Sequence, residues 1–366
     1  MTDGSDGMFE FNLNLQPNEA SGLVDIRDGA LLESHDWDYG FWAVMDEAEA
    51  EHCVAAIGRR RGTEIGDGWE IDRLHAEPRF VGPEGETGDA ESVAYHDGWV
   101  YVFGSQHGGK RGPIDPEEAW VARFREGDVD QAFKDPAVEM EIACTELVLH
   151  RVINDAFKQQ EIELLPQGPE THEAFIVESR GDDGPGPELV HEDDVTINIE
   201  GAAFRDDGSV LLGLRYPLAS DGRPIVVDLD GIQHLFESGD AAPEVQGFWI
   251  PAAIGRDGEL AGVRDLALVG EDLHLVTGNI DSKKKGSVLL EDHPEGRDTV
   301  ATHFLCKLPS GKRSGSLEAE FVREFPELPR VEGIAITEEG RAFYVTDEDE
   351  GVHLRLTRLL AEQSTG

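Results

Sequence analysis

The chain has 366 residues, and its 76 acidic against 31 basic side chains give a formal net charge of −45 at pH 7. A surface this acidic repels the phosphates of nucleic acids and of anionic membranes, so we expect neither as a partner. No run of about eighteen apolar residues is present that would span a bilayer. The N-terminus has no basic region followed by an apolar stretch, which predicts a cytoplasmic protein.

The first residues predict a tail followed by a strand. Residues 1–7 are acidic and predicted to be disordered, so that a single folded domain covers residues 8–366. Residues 9–15 then read Phe-Glu-Phe-Asn-Leu-Asn-Leu, an alternation with a period of two. This alternation predicts a half-buried strand.

The same short phrase then occurs five times along the chain. In each copy a polar or small residue opens an apolar stretch, and a turn and a second apolar stretch follow. A hairpin repeated in this way predicts an all-β propeller, because such repeats pack side by side into a closed ring. The first stretches are residues 21–24, 91–94, 200–203, 264–267 and 332–335, and the second stretches are residues 41–45, 99–103, 210–214, 273–277 and 343–346.

The spacing of the copies favours five blades. The copies begin 70, 109, 64 and 68 residues apart, and a blade of four strands needs roughly 40 to 70 residues with its turns. The oversized second interval leaves a sixth, degenerate blade as the alternative. Third strands are predicted at residues 53–57, 120–124, 225–229, 303–308 and 353–356, and outer strands at residues 70–74, 175–178, 248–254 and 317–325.

Two segments complete the predicted architecture. The last copy has no outer strand of its own, and the strand at residues 9–15 can supply it, which would close the ring and remove an open sheet edge. The long interval predicts one helical insertion at about residues 126–195. Within it, residues 136–159 carry apolar side chains at roughly helical spacing, and residues 181–194 form an acidic loop rich in Gly and Pro.

Charged residues recur where the first strand of each copy begins and the second ends. Because these two strands are antiparallel, both positions lie at the same end of the central channel, and we expect their side chains to form a ring there. Three inward carboxylates near one axis repel one another unless a cation or Arg264 lies among them. The ring consists of Ser21, Glu91, Glu200, Arg264 and Glu332 from the strand starts, and of Asp46, Ser105, Gln106, Arg215, Asn279, Asp281, Asp347 and Asp349 from the strand ends.

This residue set predicts a site for a hard divalent cation. Carboxylate and amide oxygens are the ligands that calcium and magnesium prefer, whereas no His or Cys cluster at zinc-ligand spacing is present. The alternative is that the glutamates cap their strands and that Arg264 is their structural counter-charge. The predicted metal ligands are Glu91, Glu200, Glu332, Asp347 and Asn279.

Basic residues around the ring predict an anionic small molecule as the partner. Arg215, Arg264 and Lys284 would orient the anion, with Lys110 and Arg111 also at the rim. His107 is a candidate general acid or base near neutral pH. The alternative for Lys284 is a position in a solvated loop, and the alternative for His107 is a purely structural role. No nucleophile elbow, phosphate-binding Walker loop or His-Glu-x-x-His motif is present.

Several phrases resemble a bacterial and archaeal domain-of-unknown-function family of β-propellers. They are Asn198-Ile199-Glu200-Gly201 with Gly213-Leu214-Arg215, Val263-Arg264-Asp265-Leu266-Ala267 with Gly278-Asn279, and Glu91-Ser92-Val93-Ala94 with Val102-Phe103-Gly104-Ser105. The resemblance spans residues 18–358, and more distantly the chain resembles the "esterase-like activity of phytase" family and the calcium-dependent propeller phytases. It implies the propeller fold, whereas the chain lacks the dense acidic clusters of the phytases.

Three functional hypotheses follow. The first is a calcium- or magnesium-dependent hydrolase of a phosphate or other ester, with its site in the central channel. The second is a non-catalytic propeller that binds a ligand or a protein on its channel face. The third is a propeller lactonase, for which Asn279 is a suitable amide ligand of the metal.

The composition also predicts how stability depends on salt. Only eight of the basic residues are lysines, and low lysine with abundant carboxylates is typical of proteins from cells that keep molar salt in the cytosol. There the repulsion between surface charges is screened to within about 3 Å. We expect the melting temperature to rise steeply between low and molar KCl in thermal denaturation, whereas an ordinary acidic protein would show a flat response.

Overall fold

The computed structural model describes residues 8–15, 19–46, 48–64, 66–129, 133, 137–182, 184–237, 241–255, 259–282, 286–328, 330–337, 340–346 and 352–358. Its strands form five separate sheets, each built around an antiparallel core of four strands. The fold is thus the all-β, five-bladed propeller that the repeats predict. The predicted tail at residues 1–7 lies outside the described residues.

The five blades follow one another along the chain, except that β1 (Phe9–Leu13) belongs to the last blade. Blade 1 contains β2 (Ala20–Asp25), β3 (Trp37–Met45), β4 (Val54–Arg60) and β5 (Trp69–Arg73). Blade 2 contains β6 (Ala76–Phe80), β7 (Ala90–His96), β8 (Trp99–Gly104), β9 (Trp120–Arg125) and β10 (Val138–Cys144). Blade 3 contains β11 (Asn198–Phe204), β12 (Val210–Tyr216), β13 (Ile225–Asp230) and β14 (Glu244–Pro251).

Blade 4 contains β15 (Gly262–Val269), β16 (Asp272–Gly278), β17 (Thr302–Lys307) and β19 (Ala319–Glu324), while β18 (Gly315–Leu317) pairs with β14 at the outer edge of blade 3. Blade 5 contains β20 (Val331–Ile336), β21 (Arg341–Thr346) and β22 (Val352–Arg358). The helices are α1 (Gly29–Ser34), α2 (Val148–Gln159), α3 (Pro169–Thr171) and α4 (Val288–Asp292), with a π-helical turn at His172–Val177 and short 3-10 turns at Ala50–His52, Pro116–Glu118, Glu126–Asp128, Glu178–Arg180, Ile232–Phe236 and Pro294–Gly296. No helix of the described residues has the length and hydrophobicity needed to cross a lipid bilayer.

The N-terminal strand closes the ring as predicted. β1 runs antiparallel to β22, with Phe9 opposite Leu356 and Leu13 opposite Val352. The Phe11 ring lies 5.6 Å from the Trp69 ring of blade 1, so the same strand also contacts the neighbouring blade. The first and last segments of the fold are thereby joined by backbone hydrogen bonds, and β1 becomes the outer strand of blade 5.

The outer edge of blade 2 differs from the prediction. The helix expected at residues 136–159 begins only at Val148, because residues 138–144 form β10 and pair with β9. Val138, Met140 and Ile142 are buried at every second position, as in a strand. The apolar residues of this segment also fit a helical spacing, which explains the wrong prediction. The outer strand predicted at residues 175–178 is wrong, because these residues lie in and just after the π-helical turn.

Each innermost strand carries a β-bulge at the same place. In all five blades one residue near the start of the first strand has no partner on the second strand. Such a bulge changes the direction in which a side chain points, and bulges are enriched next to functional sites. The unpaired residues are Gly22, Glu91, Glu200, Arg264 and Glu332.

The bulge in blade 1 corrects the predicted repeat by one residue. Gly22, and not Ser21, occupies the position of the three glutamates and Arg264. Gly22 has a φ of +66°, and a Cβ there would lie 3.1 Å from the backbone nitrogen of Val93. Only glycine adopts this conformation without strain while blades 1 and 2 approach so closely.

Asp265 connects three blades at the channel. Its carboxylate accepts a 2.7 Å hydrogen bond from the backbone N–H of Ile334 in blade 5, and further bonds from the N–H groups of Leu23 and Leu266. Asp265 is only 1% exposed, so no bulk water replaces these bonds. Burial raises the pKa of the carboxyl well above its usual value.

We predict that Asp265→Ala lowers the free energy of unfolding by about 3 kcal/mol, because each buried N–H left without an acceptor costs about 1–3 kcal/mol. Asp265→Asn keeps one acceptor oxygen and is expected to lose less. Chemical denaturation of the three proteins at the same salt concentration measures this. Equal stability of the alanine variant and the parent would contradict the role given to Asp265.

Candidate functional site

The bulge residues bring charged side chains together at one end of the channel. We call Glu91, Glu200, Glu332, Arg264, Arg215 and Asn279 the hub. Glu200 lies between two guanidinium groups: its Oε1 is 2.6 Å from Nη1 of Arg215, and its Oε2 is 3.0 Å from Nη1 of Arg264. Arg264 also forms an ion pair with Glu332 through Nη2. These side chains are at most 9% exposed, so the ion pairs are largely shielded from solvent.

Asn279 completes this network from blade 4. Arg215 donates from Nε to the backbone oxygen of Asn279 and from Nη2 to its Oδ1, both at 3.1 Å. The side-chain oxygen that we predicted to bind a metal therefore already accepts a hydrogen bond. The arginine predicted to orient a substrate is likewise held by Glu200 and Asn279.

Glu91 has a different environment from the other two glutamates. It is 9% exposed, and its carboxyl forms no ion pair or hydrogen bond with another of the described residues. Burial raises the pKa of Glu91 well above 4.5, and the negative charges of Glu200, Asp89 and Asp46 raise it further. We call Glu91, Asp46 and Asp89 the acid side of the hub.

Glu118 forms a hydrogen-bonded pair of carboxyls with Asp89 of the acid side. Oε2 of Glu118 accepts hydrogen bonds from the Ser105 hydroxyl at 2.9 Å and from the Gly108 N–H at 2.5 Å. Its pKa is raised to about 8 by burial and by the neighbouring Asp89, with which it shares a hydrogen bond. Sequence reasoning missed Asp89 and Glu118, since neither begins a first strand nor ends a second one.

The opposite part of the hub is positively charged. A loop of residues 105–115, which we call the strap, runs from blade 2 to the blade 4 loop that contains α4. There the Val288 N–H donates to the Lys110 oxygen, and Arg111 binds the Gly286 oxygen and Glu291. The strap places Lys110 close enough to Arg215 and Arg264 to be affected by their charges. We call Lys110, Arg215 and Arg264 the basic side.

His107 anchors the strap to the insertion. Its Nδ1 lies 2.9 Å from the Thr196 hydroxyl, and its ring stacks on Phe175 with a centroid distance of 4.4 Å. Burial lowers the pKa of His107 to about 4, so the ring is neutral at pH 7. This environment favours a structural place for His107 and not the acid–base role that we predicted.

The structure thus brings together most of the predicted site residues. Glu91, Glu200, Glu332, Arg215, Arg264 and Asn279 form the hub, and His107 lies beside it. Lys284 and Asp347 lie outside the described residues, as does Asp349.

Glu91 is the hub carboxyl at which a divalent cation could bind. Glu200 and Glu332 are paired with arginines, whereas Glu91 forms no ion pair with a described residue and lies close to Asp46 and Asp89. The oxygens of these three carboxyls do not all lie within 4.8 Å of one another; among the described residues, such groups of three are found at Glu49, Glu51 and His52, and at His191, Asp193 and Asp194. In the second cluster Asp194 is already paired with Arg151 and Lys158.

The other end of the channel has a different character. It opens into a cavity of about 600 Å³ whose walls come from all five blades. Leu23, Val93, Ala202, Leu266 and Ala335 contribute apolar walls, and no hub residue lines the cavity. Charged and titratable residues line it as well, namely Asp25, Arg27, His96, Asp97, Arg205 and Asp206.

Comparison with known proteins assigns no family, since no family model and no curated protein matches the chain. Among solved structures, the chain is similar to the mannose phosphorylase MPT-4 from Leishmania mexicana (10% identity, 97% of this chain, 88% of the other, TM-score 0.41). It is also similar to a GH43 endo-arabinanase from Bacillus licheniformis (10% identity, 96% of this chain, 98% of the other, TM-score 0.38). A further similar structure is MPT-1, a GDP-Man-dependent mannosyltransferase from Leishmania mexicana (9% identity, 99% of this chain, 92% of the other, TM-score 0.39). Likeness at this level carries no conclusion about function, and the resemblance to the phytases stays a prediction.

The raised pKa of Glu91 predicts a pH-dependent stability. Because the folded state binds a proton that the unfolded state releases, the free energy of unfolding falls as the pH rises from about 4.5 towards the pKa of the folded state. Glu91→Gln removes the carboxyl and with it the free-energy cost of ionising this buried group. In metal-free buffer we expect the variant to melt at a higher temperature than the parent at pH 8, and the difference to vanish near pH 4.5.

Glu320→Gln, which changes an exposed glutamate of β19, is the matched control and is expected to follow the parent at every pH. Thermal denaturation across this pH range is the measurement. Parallel curves for the parent and Glu91→Gln would show that Glu91 ionises normally in the folded protein.

Proposed function

We propose that the hub is the active site of a hydrolase that cleaves a small anionic ester, with a phosphate ester as the preferred class, in the presence of calcium or magnesium. The observation that carries this proposal is the separation of charge across the hub. Three carboxyls lie on the acid side, of which Glu91 forms no ion pair with a described residue, and three cationic side chains lie on the basic side. A cation and an anionic ester that bind side by side would match this arrangement.

The acid side would hold the cation. Glu91, with Asp46 and Asp89 beside it, supplies carboxylate oxygens, which are the ligands that both metals prefer. A bound divalent cation would polarise the ester and provide an activated water. Occupation of the site requires Glu91 to lose its proton, so cation binding is expected to strengthen as the pH rises.

The basic side would hold the anion by its positive potential. Glu200 and Asn279 fix the guanidinium group of Arg215, and Glu200 and Glu332 fix that of Arg264. In this proposal both guanidinium groups keep their positions and act on the substrate only through their positive charge. Fixed charges of this kind stabilise an anionic transition state without reorganising during the reaction.

A second candidate is a non-catalytic propeller that binds a ligand at the hub. It is favoured by the ion-pair network, in which Arg215 and Arg264 are already paired with Glu200 and Glu332. The lactonase hypothesis receives less support, because Oδ1 of Asn279 is engaged by Arg215. Asn279→Ala would distinguish a lactonase, which would lose activity, from a phosphatase, which would retain more of it.

Activity assays distinguish the two candidates. A panel of nitrophenyl phosphates, nitrophenyl carboxylic esters and lactones is tested after EDTA treatment and after addition of Ca²⁺ or Mg²⁺. The hydrolase proposal expects turnover only with metal, and its loss in Glu91→Gln but not in Glu320→Gln. Equal inactivity of metal-free and metal-loaded protein over the whole panel would leave the binding function.

The metal site also has a test that needs no substrate. At pH 8 we expect Ca²⁺ or Mg²⁺ to raise the melting temperature of the parent and of Glu320→Gln. Glu91→Gln should weaken cation binding by more than the roughly 10- to 100-fold that the loss of an outer-sphere partner costs. Calorimetric titration measures the affinity, and unchanged binding by Glu91→Gln would contradict the site.

A further inference from the structure

We infer that Lys110 is the residue that contacts the anionic group of the substrate, and that Asp281 occupies the place of that anion when no substrate is bound. The inference concerns the same site as the proposed function and rests on its substrate class. It changes the roles expected from the sequence, where Arg215 and Arg264 were predicted to orient the anion.

The arginines are paired with protein carboxylates. Arg215 uses Nε and both terminal nitrogens for Glu200 and Asn279. Arg264 forms ion pairs with Glu200 and Glu332, although its Nη1 makes no hydrogen bond with a described residue. A substrate anion that took these donors would leave a buried carboxylate without its partner, which is strongly unfavourable.

Lys110 is held more loosely. Its Nζ lies 3.4 Å from Oδ1 of Asp281, which is longer than a strong charge-assisted hydrogen bond. The Lys110 side chain is 28% exposed, against 9% for Arg215 and 4% for Arg264. An ammonium group on a flexible stem can exchange one anionic partner for another at little cost.

The backbone nevertheless fixes where Lys110 lies. The Val288 N–H donates to its carbonyl oxygen at 3.2 Å, and Gly286 and Glu291 hold the next residue, Arg111. At the root of the strap, Gly108 donates to Glu118. The side chain can therefore change its partner while its backbone stays anchored beside the hub.

Asp281 can compete with a substrate anion for the Lys110 ammonium group. Its Oδ1 accepts the Ser282 N–H at 2.6 Å, so the carboxylate keeps a partner when Lys110 leaves. Burial opposes its charge, but Arg215 and Lys110 outweigh burial and lower its pKa. A phosphate or carboxylate that displaces it from Lys110 would meet the same positive potential.

The test measures binding of inorganic phosphate to the full chain by calorimetry, at constant ionic strength, in EDTA and again with Mg²⁺. We expect Lys110→Met to weaken phosphate binding about tenfold or more, the loss expected for one charge-assisted hydrogen bond. Lys110→Arg should retain most of the affinity. Asp281→Asn should bind phosphate more tightly than the parent, because the competing charge is gone.

Lys312→Met is the matched control, since it removes the same charge from an exposed lysine beyond β17, at the other end of blade 4, and is expected to bind phosphate like the parent. Lys110→Met is expected to weaken phosphate binding and Asp281→Asn to strengthen it. If the Lys110–Asp281 pair had only a structural role, both variants would loosen the strap and weaken binding. No phosphate binding by the parent, unchanged binding by Lys110→Met, or a loss in both variants would overturn the inference.

A second readout uses chemical labelling. Limited acetylation with acetic anhydride, followed by peptide mass spectrometry, should modify Lys110 more slowly when phosphate is present, whereas Lys312 should be modified at the same rate. Neither measurement needs turnover. Binding that depends on Lys110 without any hydrolysis would reject the proposed function alone, and hydrolysis that is indifferent to Lys110→Met would reject this inference alone.

Discussion

The ion pairs of Arg264 at the propeller axis are the interaction on which the rest of the structure depends. Five bulged inner strands meet there, and three of them present a glutamate. Arg264 pairs with Glu200 and Glu332, so blades 3, 4 and 5 meet through neutralised charge. Loss of one partner from a buried ion pair typically costs about 3–5 kcal/mol, because the remaining charge is left uncompensated.

The neutralisation by Arg264 is uneven around the ring. Blade 1 contributes only Gly22 at the bulge, and blade 2 contributes Glu91, which forms no ion pair with a described residue, although the charge of Arg264 partly offsets the rise in its pKa. Glu91 is therefore less fully neutralised than Glu200 and Glu332. Burial makes its negative charge costly, and a proton or a cation would reduce that cost.

The strap gives the opposite side its positive charge. It begins in blade 2 next to the acid side, yet it places Lys110 beside blade 4, near Arg264 of blade 4 and Arg215 of blade 3. His107 and Phe175 hold the strap against the insertion. The part of the insertion that follows β10, which contributes no strand to a blade, thus helps to position a charge at the channel.

The sequence by itself favoured five blades over six, and it predicted the closing strand and the side chains that form the hub. Those features depend on local alternation and on the repeat, and both can be read along the chain. Only the tertiary structure decided that Gly22 replaces Ser21 in the ring, that residues 138–144 form a strand, and that Asp89 and Glu118 lie beside Glu91. A bulge and the pairing of two carboxyls far apart in the chain arise from contacts between distant segments, which local alternation does not specify. The apolar spacing of residues 138–144 is compatible with a strand and with a helix, and only the pairing with β9 decides between them.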